Sequence, residues 1–325
     1  MRRSRPGRAA RPGLRGRLLP VASLAVSLAA GLAAAGLATA CADPARMAVE
    51  RGDRLLAEGR LEPAIAEYRL SLRQGGDDPR LLLRLGDAYA RSGEVDETVR
   101  LFGALLERDS AYRYQVAATL NGLARQALER GARESMRRAL RPLAGWDVGL
   151  IDVDLRLALA RLNAAEGEYA LALALFLSIP RDLENPPPTV PYEIGRAYEE
   201  LGGCVDAIPY FERFLSRVGG RSEDAPSARW HLGNCLFLAA EGDRSVGRPR
   251  SALAKLDRMV ELGVPLTLLE RAQYLRGELL LGLGNPDEAL DAYNAILRLN
   301  PSRTGFLSRR AEERIREIRH GGEDL

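Results

Sequence analysis

The chain has 325 residues, 46% of them hydrophobic, 28% charged and 6% aromatic. That composition excludes a disordered polymer, a collagen-like chain and a disulfide-dense miniprotein. The formal charge of +3 hides an asymmetry: residues 1–40 hold seven arginines and no acid, leaving 40 basic against 44 acidic residues, a balance of −4, in the rest. A mildly acidic body argues against nucleic-acid binding.

Residues 1–17 form a positive segment, and Leu18 to Ala40 follow without a charge. This is the layout of a secretory signal. Three outcomes stay open. Ala38-Thr39-Ala40 fits the small-x-small rule for ordinary cleavage. The run Leu37 to Cys41 resembles a bacterial lipobox, in which the cysteine becomes lipidated, although Leu37 lies one place further from the cysteine than usual. The apolar run is also long enough for a retained anchor. Cys41 is one of three cysteines and ends the apolar run, which favours lipidation. The expected division is a signal over residues 1–40 and an anchor and linker over 41–44. Residues 42–325 then lie outside the cytoplasm. By analogy with bacterial sorting, Ala42 favours the outer membrane.

Beyond the linker the sequence repeats. Gly52 and Gly86 are 34 residues apart, as are Gly59 and Gly93, and Tyr68 and Phe102. AVERGDRLLAEGRLEPAIAEYRLSL aligns with LLRLGDAYARSGEVDETVRLFGALL without a gap. Small residues pair twelve positions apart at Gly52/Ala64, Gly86/Thr98, Ala160/Ala172, Gly195/Ala207 and Gly277/Ala289. One aromatic follows in each of these units: Tyr68, Phe102, Phe176, Phe211 and Tyr293. Thirty-four is the period of the tetratricopeptide repeat, and the chain resembles that family. The resemblance implies an all-α solenoid of about seven helical hairpins, whose helices cross at the small residues.

Units are expected to start near Ala45, Pro79, Arg113, Val153, Pro188, Pro226 and Glu270. The N-terminal hairpins occupy 45–180. The third of them is degenerate, turning near Gly131 with Trp146 beyond its second helix. A linker over 181–187 precedes the C-terminal hairpins of 188–303, where the sixth unit carries a long loop, EGDRSVGRPR, and Ala252 takes the small position of its second helix. A charged capping helix and tail fill 304–325, giving the polar outer face a solenoid end needs.

The family resemblance also implies a groove lined by the first helices and a protein or peptide partner. Its inward positions map onto Tyr192, Arg196, Trp230, Asn234, Phe237 and Tyr274, an aromatic-rich set suited to peptide or helix capture. The chaperone-tail subclass is disfavoured, because Val49 and Asp53 stand where a carboxylate clamp needs other groups. Joined to an envelope address, the repeats resemble bacterial envelope lipoproteins of outer-membrane assembly, Tol–Pal coordination or pilotin type. The expected function is a lipid-anchored, periplasm-facing scaffold; a pilotin carrying a client subunit and an envelope hydrolase or metal-dependent regulator are the alternatives.

Nothing in the sequence carries an enzyme motif. HExxH, the P-loop and the G-x-S-x-G elbow are absent, and neither a cofactor nor catalysis is expected. His231 and Cys235 share a helix face four residues apart, and Cys204 begins the preceding unit's second helix. Three arrangements stay open: a Cys204–Cys235 disulfide, separate buried thiols, or a soft-metal site.

Overall fold

The computed structural model describes residues 43–183, 185–219 and 221–320. Residues 1–40, Cys41 and the tail from 321 lie outside them. The described residues form fifteen α-helices and no strand. The first helices of the hairpins are α1 (Pro44–Ala57), α3 (Pro79–Ser92), α5 (Arg113–Glu129), α7 (Val153–Ala165), α9 (Val190–Glu200), α11 (Ala225–Ser245) and α13 (Leu266–Gly282). Their antiparallel partners are α2 (Leu61–Arg73), α4 (Val95–Arg108), α6 (Arg133–Trp146), α8 (Tyr169–Asp182), α10 (Cys204–Val218), α12 (Pro249–Leu262) and α14 (Pro286–Leu299). The cap is α15 (Phe306–His320). No described helix is long and apolar enough to cross a membrane.

Local chemistry starts and stops these helices. Asp43 and Asp78 accept hydrogen bonds from the backbone N–H of Ala45 and Arg80, at 3.0 and 2.9 Å, with proline at the first helical position of α1 and α3. A side-chain acceptor before a proline N1 satisfies donors the helix leaves orphaned. Gly93 closes α3 at φ +84°, a left-handed backbone that only glycine adopts without a Cβ penalty.

One contact explains the hairpins. A Cβ added at Gly52, Gly195 or Gly277 would lie 2.6, 2.8 and 2.6 Å from the rings of Tyr68, Phe211 and Tyr293 respectively, and Gly86 stands the same way against Phe102. The glycine is thus a seat for the aromatic sixteen residues on, and any side chain there would force the helices apart. Ala160 and Phe176 keep the same spacing, and both are buried.

The two irregular units obey the same rule with different side chains. In the third, Ala124 and Leu140 are sixteen apart and fully buried. Asn121, which the repeat pattern leaves unassigned, donates to the Leu150 carbonyl at 2.8 Å and accepts from the Asp152 N–H at 3.2 Å, fastening the α6–α7 connection. Trp146 is the last residue of α6 rather than lying beyond it.

In the sixth unit the expected long loop is mostly helix. Glu241 to Ser245 continue α11, the turn is only Val246 to Arg248, and Asp243 pins it by accepting from Lys255 and Ser251 at 2.5 Å each. Ala252 is buried in the second helix, and the residue twelve before it is the buried Ala240; Leu256, sixteen after Ala240, takes the ring's place. Gly233 lies two helical turns earlier on α11. A Cβ there would collide with the Val264 carbonyl, in the cis Val264–Pro265 connection to α13. The seven extra residues therefore lengthen α11 to 21 residues, about 31 Å. It packs against α10 of unit five, α12 of its own unit and α13 of unit seven.

Candidate functional site

Every pair of successive first helices is tied by a polar contact. Arg84 lies 3.1 Å from Asp53, joining α1 to α3. Thr119 donates to Asp87 at 2.8 Å, and Arg125 to Asp152 at 2.8 Å. Arg161 donates to Glu193 at 2.6 Å, Asn234 to Glu199 at 3.0 Å, Arg271 to Glu241 at 2.6 Å and Arg314 to Glu278 at 2.7 Å. Burial pushes the Asp87 carboxyl up, with the Thr119 hydrogen bond opposing it. Exposed ion pairs contribute little singly. Here they pair charges across the joints between successive hairpins.

The last rung is the most elaborate. Burial alone would raise the Glu278 carboxyl, but hydrogen bonds from Arg314 and from the Tyr293 hydroxyl (2.6 Å) hold it below the usual glutamate range. A depressed carboxyl stabilises the fold above its unfolded pKa, and that stability is lost as pH falls through the folded value. Protection of the α15 amides, taken relative to their intrinsic exchange rate at each pH, should therefore fall below about pH 4 compared with pH 6. Glu278→Gln should flatten that pH dependence; an unchanged profile would remove Glu278 from the account.

The expected groove residues divide into three groups. Tyr192, Arg196, Trp230 and Asn234 come together between α9 and α11. The Trp230 indole meets His231 edge-on at 5.0 Å, and His231 stacks on Phe211 at 5.8 Å and lies 6.2 Å from Tyr192. His231 Nδ1 is 2.7 Å from Glu199 Oε2, Asn234 holds the other Glu199 oxygen, and Arg196 donates to Glu200 at 2.7 Å. Trp230 keeps 46% of its surface exposed. Beside Tyr192 and Arg196 a pocket of about 260 Å³ opens, floored by Ala164, Ala165 and Ala197.

Phe237 corrects the groove expectation. It is only 1% exposed, with the Arg271 guanidinium 5.1 Å above its ring. The lengthened α11 carries it past α9 to where α13 packs, so it belongs to a joint between hairpins. Tyr274 is half-buried and meets Tyr293 edge-on at 5.8 Å, packed in the small core that α15 completes. The capping helix closes over it. His231 also belongs to the cluster, packed on Phe211, and the inter-helix ladder is not among the sequence expectations. Its only sequence signal is opposite polarity recurring 27 to 36 residues apart.

Cys204 and Cys235 are joined as a disulfide, with Cα atoms 4.8 Å apart, linking α10 to α11 beside this cluster. Among the described residues no group of three or more His, Cys, Asp or Glu side chains could hold a metal ion. Cys41 lies outside the described residues.

Comparison with known proteins agrees with this architecture. Residues 192–245 and 238–304 match the tetratricopeptide repeat family model. The second match begins just before Ala240, the buried residue that sets the register of the sixth hairpin. No curated protein sequence matched the chain. Among solved structures, the chain is similar to the C-terminal part of a TPR repeat-containing protein from Cytophaga hutchinsonii, at 16% identity and TM-score 0.37, over 81% of this chain and 98% of that one. It is also similar to the TPR2AB-domain:pHSP90 complex of yeast Sti1, at 16% identity and TM-score 0.34, over 84% and 98%. A Parabacteroides merdae tetratricopeptide repeat protein matches at 14% identity and TM-score 0.33, over 85% and 98%. Residues 192–304 therefore match the tetratricopeptide repeat, and the helical hairpins that precede them are of similar build.

Proposed function

We propose that the protein is a non-enzymatic scaffold of the bacterial cell envelope, tethered by lipid on Cys41, that binds a protein segment on the first-helix face of units five and six. Tetratricopeptide repeats are protein-interaction modules. The observation that carries the reading is Trp230, a half-exposed indole at the centre of an otherwise self-paired polar face. Large aromatics in such settings are the usual binding anchors. Because the surrounding charges are committed to one another, the partner is held mainly by apolar contact.

Two expectations follow from that. Affinity for the partner, isolated by pull-down and measured with purified components, should fall at least about tenfold in Trp230→Ala. It should change little between 0.1 and 0.5 M salt, since screening acts on charge pairs and not on buried apolar area. Retained binding by the variant would place the partner elsewhere.

The tether rests on the apolar run ending at Cys41. In a bacterial host fed labelled fatty acid, the full chain should take up label and fractionate with membranes. Cys41→Ala should lose the label. An unlabelled native chain would leave a soluble exported scaffold in its place.

A further inference from the structure

The two added turns of α11 push its end outward, and the turn that follows is basic. Arg244, Val246, Arg248 and Arg250 are all exposed, Val246 by 64%. None of the three arginines makes a salt bridge or a side-chain hydrogen bond among the described residues. The two nearby acids are already engaged: Glu241 with Arg271, and Asp243 with Lys255 and Ser251, which hold the Asp243 carboxyl below the usual range. Arg248 and Arg250 also line a pocket of about 360 Å³ together with Leu283 from the next turn. The tip thus presents three guanidinium groups outside any salt bridge, Arg248 lying in the field of the Asp243 carboxylate, around the exposed Val246. The equivalent turn of the first unit, by contrast, pairs Arg60 with Glu58.

We propose that this tip docks on an anionic phospholipid bilayer, with the arginines on lipid phosphates and Val246 inserted among the headgroups. Guanidinium groups form forked hydrogen bonds to phosphate. Each basic residue near an anionic surface adds to binding, and an apolar residue at the centre supplies insertion that a soluble anion cannot use. Nucleic acid fits less well: the tip has no aromatic side chain for base stacking, and the body is acidic. The inference is independent of the Trp230 reading, since the tip lies on other residues and needs no protein partner.

The test is partition of the chain from Ala42 onward, without leader or lipid, onto vesicles, one set containing phosphatidylglycerol and one of phosphatidylcholine alone. Arg244→Glu/Arg248→Glu/Arg250→Glu is compared with Arg54→Glu/Arg69→Glu/Arg73→Glu. The second set changes the net charge equally at exposed residues of α1 and α2. The tip variant should bind phosphatidylglycerol vesicles at least about 100-fold more weakly, and the control less than about threefold. Amides 244–250 should gain hydrogen-exchange protection on those vesicles only. Equal losses in both variants would overturn the proposal, since whole-chain charge would then suffice. So would an absence of protection at 244–250, or equal protection by inorganic phosphate or DNA without vesicles.

Discussion

Phe211→Ala should lower the unfolding free energy by about 3–5 kcal/mol, read from denaturant titration followed by helix signal. The ring is fully buried, seated on Gly195 and in contact with Tyr192 and His231. Truncation removes its apolar burial and leaves a cavity that Gly195, with no side chain, cannot fill. In a stack of hairpins each unit touches only its neighbours, so the damage is local. Exchange should rise first in α9 to α11, and binding at Trp230 should weaken with it, because the indole rests on His231 and His231 rests on Phe211. Phe211→Leu, the residue type that serves in the third and sixth units, should recover most of the stability. A loss below about 1 kcal/mol for the alanine variant would mean that the glycine seat does not hold the hairpin.

Breaking the Cys204–Cys235 link should have the next largest effect. The bridge closes a loop across 31 residues, and the restriction this places on the unfolded chain corresponds to about 3–4 kcal/mol. Cys204→Ala/Cys235→Ala should therefore unfold at lower denaturant, and reductant should bring the native chain to the same midpoint without moving the variant. Because Cys235 is fully buried, thiol labelling after reduction should be slow until α11 separates from α10. Equal midpoints for the oxidised chain and the variant would show that the unit five–six joint is secure without the bridge.

The regular hairpins are legible in the sequence because their chemistry is local. Gly52 and Tyr68, or Gly277 and Tyr293, sit in one hairpin, and a repeated spacing exposes them. The irregular ones are harder. Ala124 with Leu140 and Ala240 with Leu256 satisfy the same packing with a larger seat and a smaller cap. Their identities do not announce the pairing; only the volume shared between them does. The sixth unit misled for a further reason. Gly242 and Gly247 suggest a loop, but a helix tolerates a single glycine when Asp243, Lys255 and Ser251 clamp its end.

The candidate site was half legible. Trp230, Tyr192, Arg196 and Asn234 follow from repeat position, since position decides which side of a first helix they share. Phe237 fails by the same rule: the two added turns shift the register by seven residues and carry it under Arg271. Tyr274 holds its position, yet the cap covers it.

By itself the sequence determined that the chain is all-helical, that it repeats, and where most hairpins begin, because helix period, proline starts and the glycine–aromatic spacing act within about forty residues. Only the tertiary structure decided how one hairpin meets the next. The Asp53–Arg84 to Glu278–Arg314 ladder and the Cys204–Cys235 link join separate units. Such contacts depend on the angle and offset between hairpins, which result from summed side-chain volumes along the stack and leave no periodic mark in the chain.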